Sequence, residues 1–341
     1  MMNTAQRATT KFKNMLSPRG LILMYHRIAE PDLDPWGLSV SPRHFAEHLE
    51  VIKKYFHPLS MRELVAHLQQ GKVPNRSIVV TFDDGYADNF HNAKPLLEHY
   101  GVPATIYLVT EALVEQRNFW WDELEWALLQ PDTLPELLEL TRNGKRYSWQ
   151  LENERQYTAA DRQNDHQIRP WDALPGTRMA FFYSVWQQLR ELSKSERIEA
   201  IDEIRVWAGM PKKDQLANRI LSKEEVNLLG NNSLIELGAH TVTHPSLTTI
   251  SSAQQIEEIA GSKRQLENIL NHTVTSFSYP HGEYSAETID LARNAGFHSA
   301  TAIHFKCVFP GEDLFQLPRF QVDDWSGEKF LRQLVKWYAF R

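Results

Sequence analysis

Two adjacent carboxylates, Asp83 and Asp84, stand in Thr81-Phe82-Asp83-Asp84-Gly85, where the apolar run Ser77–Phe82 gives out. Neighbouring side chains on an extended strand point to opposite faces. A turn at the strand end can bring both into one site, one as a metal ligand and one as an acid–base group. The same residues also suit a plain surface Asp-Asp-Gly turn. His240-Thr241-Val242-Thr243-His244-Pro245 follows another strand-like run and stops at a proline. Two neutral imidazoles four residues apart can grip one cation if the backbone bends around it. With an aspartate they make a His₂-carboxylate set that leaves positions open for water and substrate. Two unrelated polar residues in a loop would have the same spacing. Phe277-Ser278-Tyr279-Pro280-His281-Gly282 is a third strand end. Its Pro-X-Gly turn can aim backbone N–H groups at a developing oxyanion, or be an ordinary turn into a helix.

These segments need a frame, and the chain supplies alternating strand and helix signals. Leu21–Ile28, Ser77–Phe82, Ala104–Thr110, Leu234–Ala239, Val274–Tyr279, Ser299–Ile303 and Leu317–Val322 read as seven strands. Their apolar runs are those of buried parallel strands. Between them fall helices with their own punctuation. Ser41-Pro42 opens one that reaches about Tyr55, and Ser60 with Glu63 caps another that Gly71 closes. A helix from about Asp88 to Tyr100 stops at Gly101. Ser222 with Glu225 caps a helix to Gly230. Helices follow over Ser252–Leu270, Ala286–Ala295 and Gly327–Trp337. Strand–helix alternation predicts a parallel sheet or a (β/α) barrel. In either, ligands gather at the carboxyl ends of the strands.

Residues 111–220 break the scheme. They hold seven of the ten tryptophans, the helical segments Met179–Leu192 and Ser195–Trp207, and a polar span near Asn153–Arg169. They read as an insertion into the α/β scaffold. The expected organisation is an N-terminal extension over 1–20 and one barrel over 21–341, interrupted at 111–220.

Composition excludes several classes. The 341 residues carry 37 Lys+Arg against 43 Asp+Glu, a net charge of −6, which argues against a nucleic-acid partner. A single cysteine, Cys307, rules out an intramolecular disulfide framework and leaves any metal to His and carboxylate ligands. No apolar run approaches a membrane span, and residues 1–20 lack the apolar core of an export signal, so a cytoplasmic protein is expected. Basic residues at 7–19 and the aromatic-basic segment Phe330–Arg341 suit contact with an anionic membrane surface. A final barrel helix is the preferred reading of the second.

TFDDG, HTVTHP and SYPHG, in this order, resemble the polysaccharide deacetylase family with the NodB-type domain, carbohydrate esterase family 4. The resemblance covers roughly 20–110 and 220–325, and it implies a distorted (β/α) barrel. It implies Asp83 as general base, Asp84, His240 and His244 as ligands of a divalent metal, and the backbone N–H near His281 as an oxyanion contact. Zinc suits such a set first, with cobalt, nickel, iron or manganese also accepted. Two departures stand out. The arginine that often opens the third motif is Ser278 here, and no late Leu-X-His motif supplies the usual acid. Met24-Tyr25-His26-Arg27-Ile28 resembles the start of a circularly permuted branch that includes bacterial poly-N-acetylglucosamine deacetylases. There the acid histidine comes first, which makes His26 the candidate acid. Arg319, in Leu317-Pro318-Arg319-Phe320, is the candidate to replace the missing arginine and orient Asp83. Tyr279, Trp120 and Trp121 are candidate substrate contacts, because aromatic rings stack on sugar faces.

The implied reaction is removal of an acetyl group from an N-acetylated sugar in a polysaccharide or glycan precursor, in bacterial surface-glycan synthesis. The expected substrate is an oligosaccharide or a lipid- or nucleotide-linked glycan. Hydrolysis of a formamide or another C–N amide on the same scaffold is a second reading. A non-catalytic glycan-binding protein is a third.

Overall fold

The computed structural model describes residues 18–166, 168–211 and 218–339. The chain divides into two compact units. The first comprises the chain up to Glu30, Leu38–Gln116 and the chain from Ile220 onward; the second comprises Pro31–Gly37 and Arg117–Arg219.

The strands, in chain order, are β1 (Gly20–Tyr25), β2 (Arg27–Ile28), β3 (Ser39–Val40), β4 (His57–Pro58), β5 (Ser77–Phe82), β6 (Ala104–Leu108), β7 (Leu137–Arg142), β8 (Lys145–Gln150), β9 (Ile235–Ala239), β10 (Ser276–Ser278), β11 (Ser299–Thr301) and β12 (Phe320–Gln321). In the first unit the main sheet runs β11-β10-β9-β6-β5-β1-β12, with β4 beside the start of β5. Every pairing in it is parallel. Leu317 bridges Thr301 of β11 at one edge, while Phe320 and Gln321 pair with Leu23 and Met24 at the other. The short segment 317–321 therefore joins both edges and curls the sheet into a distorted barrel. Arg319 sits in the middle of that segment, fully buried.

Alternation along the strands sorts the side chains. Leu21, Leu23 and Tyr25 of β1 and Ile78, Val80 and Phe82 of β5 share one hydrophobic cluster with Phe45, Leu49 and Ile52 of the helix Pro42–Tyr55. Ile22 and Val79, one residue out of step, join a separate cluster with Val308 and Leu317. Two faces of one sheet are thus both apolar, as a parallel sheet covered on each side requires.

Helix ends follow the expected caps. The Ser41 hydroxyl accepts from the His44 N–H, and Ser60–Glu63, Ser222–Glu225 and Ser285–Thr288 form reciprocal caps. The helix expected from Asp88 differs. It opens as a π-turn, Asn89–Ala93, and becomes α-helical only over Lys94–Tyr100. Pro95 has no N–H for His91, and the Lys94 N–H reaches back five residues to Asn89. The helix Gly327–Ala339 buries Phe330, Leu334 and Trp337, with Trp337 stacked on Phe320 at 4.4 Å. Burial of each such side chain contributes roughly 1.5–3 kcal/mol, so the apolar face of this segment belongs to the core.

The second unit has its own core, including Leu124, Leu128, Phe182, Val185 and Ile204. It contains a hairpin of β7 and β8, joined by Asn143 and Gly144 with φ of 50° and 73°. Both turn residues are left-handed, as a two-residue hairpin loop requires. Residues 111–115, expected in the insertion, form a helix of the first unit, and 31–37 join the second. Residues 1–17 of the expected extension, including Arg7, Lys11 and Lys13, lie outside the described residues, as do Phe340 and Arg341. Among the described residues no helix is long and apolar enough to cross a membrane.

Candidate metal and catalytic centre

Strand register brings the distant motifs together. Tyr25 pairs with Phe82, so the next residues, His26 and Asp83, leave neighbouring strand ends side by side. Phe277 pairs with Ala239, which places Ser278 beside His240. Asp83 follows its strand's alternation toward the barrel interior. Asp84 departs from it, because its φ of 74° swings the chain back on itself. Both carboxylates consequently face His240, whose Nε2 lies 3.9 Å from Asp83 Oδ2 and 3.6 Å from Asp84 Oδ1. His244 Nε2 lies 3.5 Å from the same Asp84 oxygen.

Asp84, His240 and His244 offer three donor atoms within 4.8 Å of one another. This set fits a divalent cation by the chemistry of its donors. The His240 Nδ1 lies 2.8 Å from the Ser278 carbonyl, which fixes the ring and leaves Nε2 turned to Asp84. Burial holds the His240 and His244 pKa values below the ordinary value, so both present the neutral imidazole that ligation needs.

The loop carrying the histidines is bent at Thr241 and His244, whose φ values are 66° and 59°. His281 has φ of 57°, and its ring centroid lies 4.7 Å from that of His244. Left-handed backbone at a non-glycine residue costs about 1–3 kcal/mol and persists where the surroundings enforce it. Glu258 enforces it here. Its carboxylate accepts from the Val242 and Thr243 N–H groups at 2.9 and 2.8 Å and from the Thr243 hydroxyl at 2.6 Å. The Ser246 hydroxyl, which donates to Glu283, ties this loop to the Pro280–Gly282 turn.

Arg319 is locked on Asp83. Its Nη1 and Nη2 donate to the two carboxylate oxygens at 2.7 Å each, and to Thr81 Oγ1 and Ser278 Oγ at 3.2 and 2.8 Å. Burial pushes the Asp83 pKa up, but the Arg319 charge, with His240 and His26 behind it, brings it down to about 2. Asp83 is therefore ionised at neutral pH. The His26 pKa is lowered to about 4 by burial; Asp83 opposes this, while Arg319 and His240 add to it. Its segment is clamped by residues the motifs did not reveal. Asp88 accepts from Arg27 Nε at 3.0 Å and from the Ile28 N–H at 2.9 Å, and Asn89 Nδ2 donates to the His26 carbonyl at 2.8 Å.

The structure thus gathers His26, Asp83, Asp84, His240, His244, His281 and Arg319 at one end of the barrel. Tyr279, in the same unit, turns away from this cluster. Tyr279 is fully buried on the opposite side of its strand, and its hydroxyl donates to the Phe315 carbonyl at 3.0 Å. That corrects its expected contact with substrate. Trp121 is buried in the second unit and stacked on Phe119 at 4.4 Å. The Trp120 ring packs on Trp186 at 5.9 Å with the Arg197 guanidinium 4.8 Å from its centroid.

Fold and site define a barrel-type hydrolase scaffold with a His₂Asp donor set. The sequence model of the polysaccharide deacetylase family matches residues 70–166 and 186–300, more than half of the chain, and the chain belongs to that family. It is 20% identical over 312 residues to the Bacillus subtilis protein YxkH, covering 91% of this chain and 74% of that one. It is 30% identical over 103 residues to the poly-β-1,6-N-acetyl-D-glucosamine N-deacetylase of Staphylococcus epidermidis, covering 26% of this chain and 36% of that one. Its fold is like that of the Streptococcus pyogenes deacetylase PplD, solved with acetate, at a TM-score of 0.58, 18% identity and coverage of 93% and 98%.

Proposed function

We propose that this chain is a metal-dependent N-deacetylase acting on an N-acetylated sugar of a polysaccharide or glycan precursor. The observation that carries the proposal is the Asp84–His240–His244 donor set beside an Asp83 carboxylate locked on a buried arginine. Asp84, His240 and His244 would hold the cation, and zinc is the first choice for such donors. A divalent ion held there supplies Lewis acidity toward the acetyl carbonyl and acidifies a water.

The chain's own residues manage the protons. Asp83 accepts the proton of the attacking water, and Arg319 holds both its oxygens so that the carboxylate keeps one orientation. The backbone at His281 faces the oxyanion that develops as water adds. His26 gives a proton to the nitrogen as the C–N bond breaks, leaving acetate and a free amine. With a pKa of about 4 the resting imidazole is neutral. The proton it returns is therefore the one removed from water within the same turnover. Adjacent positions past two paired strands suit that transfer.

The test is metal analysis coupled to acetate release from N-acetylglucosamine oligomers. Asp83→Asn is expected to retain the metal and lose turnover, whereas His240→Ala is expected to lose the metal. Equal acetate release by metal-replete Asp83→Asn and the parent protein would sink the assignment. Formate in place of acetate from an N-formyl substrate would favour the amidase reading instead.

A further inference from the structure

His26 occupies a break between two sheets. The pairing of β1 with β5 ends at Tyr25, whose carbonyl accepts from the Asp83 N–H at 3.0 Å. One residue later the chain pairs with β3 instead, Arg27 beside Ser39 and Ile28 beside Val40. Three side chains from a single helical turn span this break. Asn89 Nδ2 donates to the His26 carbonyl at 2.8 Å, and Asn92 Nδ2 to the Ile28 carbonyl at 2.7 Å. Asp88 Oδ1 accepts from the Ile28 N–H at 2.9 Å and from Asn89 Nδ2 at 3.1 Å. Asp88 Oδ2 accepts from Arg27 Nε at 3.0 Å, and the Arg27 guanidinium lies over the Tyr86 ring, 4.6 Å from its centroid.

The local structure of that turn is arranged for this contact and not for its own helix. Asp88 stands at the N-cap position of the π-turn Asn89–Ala93, where an aspartate ordinarily accepts from the helix's own N–H groups. Its carboxylate makes no such bond and is turned to residues 27 and 28. Asn89 is fully buried, with both of its Nδ2 bonds directed at this junction. Turns widened in this way recur at functional sites. We infer that Asp88, Asn89 and Asn92 are positioning residues, which fix the point from which His26 passes its proton to the departing nitrogen. The inference rests on the deacetylase reading for the role of His26. It adds that the turn after Asp83 and Asp84 serves the acid as well, so that one short stretch of chain sets both partners of the proton transfer.

Two substrates separate positioning from folding. The amide nitrogen of an N-acetylglucosamine oligomer needs a proton to leave, whereas 4-nitrophenyl acetate releases a stabilised phenolate that needs none. The readout is the ester-to-amide ratio of kcat on metal-replete protein. His26→Ala is expected to raise it by about 10²–10⁴, the contribution of a general acid. Asn89→Ala is expected to raise it by about 10–100-fold, the scale of a displaced catalytic group. Asn92→Ala, a half-buried position two residues from the His26 contact, is expected to move it in the same direction by less, and it carries the test where Asn89→Ala does not fold. Adding either asparagine change to His26→Ala is expected to move the ratio no further, since the group being positioned is already gone. A ratio unmoved by both asparagine changes while His26→Ala shifts it overturns the positioning role and leaves the deacetylase reading standing. A further shift in the double variants overturns it as well. A ratio unmoved by His26→Ala overturns the acid assignment and the inference together.

Discussion

Replacing Arg319 by methionine removes a buried charge while keeping most of the side-chain volume. The guanidinium makes two 2.7 Å bonds to Asp83, and neither group has appreciable solvent access. Burial alone drives the Asp83 carboxyl upward, and Arg319 leads the groups that reverse this. Without it the leading group that opposes burial is gone, so the Asp83 pKa should rise, passing above its ordinary value of 3.8 where the His26 and His240 imidazoles are neutral. The present difference between 3.8 and about 2 corresponds to roughly 2–3 kcal/mol. Breaking one side of a buried pair costs about 3–5 kcal/mol in stability, because the remaining charge is left in the interior.

The sign follows from the depressed pKa. Asp83 contributes stability that is complete above its unfolded value near 4 and is lost as pH falls toward 2. The stability gap between the parent protein and Arg319→Met should therefore be full at pH 7 and shrink in acid. Urea unfolding at several pH values measures it. The acid limb of kcat/KM against pH should move to higher pH in the variant, while metal content stays unchanged. Arg319→Lys keeps the charge but not the two-pronged geometry, so it should fall between the two. A methionine variant within about 1 kcal/mol of the parent at pH 7, with an unmoved acid limb, would refute the role given to the pair.

His48 offers a second pH test. It is buried against Phe330 at 4.0 Å, with Nε2 2.7 Å from the Trp325 carbonyl and Nδ1 3.2 Å from the Tyr25 hydroxyl. Burial lowers its pKa from 6.5 to about 4 despite the Trp325 bond, so its stability contribution is complete above pH 6.5 and lost as pH falls toward 4. The loss is about 3 kcal/mol, and thermal unfolding of His48→Gln should show a shallower slope across that window; parallel curves would contradict it. Gly282 and Gly71 both have φ of +69°, but only Gly282 is packed against a neighbour, Ile303. Alanine at 71 should cost about 1 kcal/mol by backbone strain alone, and alanine at 282 clearly more, as read by urea unfolding. Equal losses would show that Ile303 yields without cost.

Where local chemistry decides an element, the sequence was a sufficient guide. Ser60 with Glu63 and Ser222 with Glu225 cap the helices that the sequence assigned to them. The hairpin of β7 and β8 left its signal in Asn143-Gly144, since that dipeptide tolerates two left-handed residues in succession. The polar, Trp-rich surroundings obscured it. The π-turn at Asn89–Ala93 was signalled only by Pro95. Other features have no local signal at all. Glu258 lies fourteen residues beyond His244 on a helix, and only the folded chain shows that it holds the histidine loop. The same is true of 31–37, which join the second unit by tertiary packing.

The candidate site shows why residue type and spacing reached some groups and misplaced others. Ser278 bonds Arg319, so it faces the barrel interior. Its neighbour Tyr279 must then point outward, where it meets the Phe315 carbonyl. A motif read as a string treats both as site residues, whereas strand alternation admits one. Asp83 and Asp84 escape this rule only because the φ of Asp84 is positive. The missing motif-three arginine follows the same logic. A side chain inside a barrel can be supplied from any strand whose alternation brings it inward. Here Arg319, on the segment that joins the two sheet edges, reaches Asp83 across the interior from outside the third motif. What the chemistry requires is a cation at that point in space, and the barrel allows more than one place in the chain to provide it.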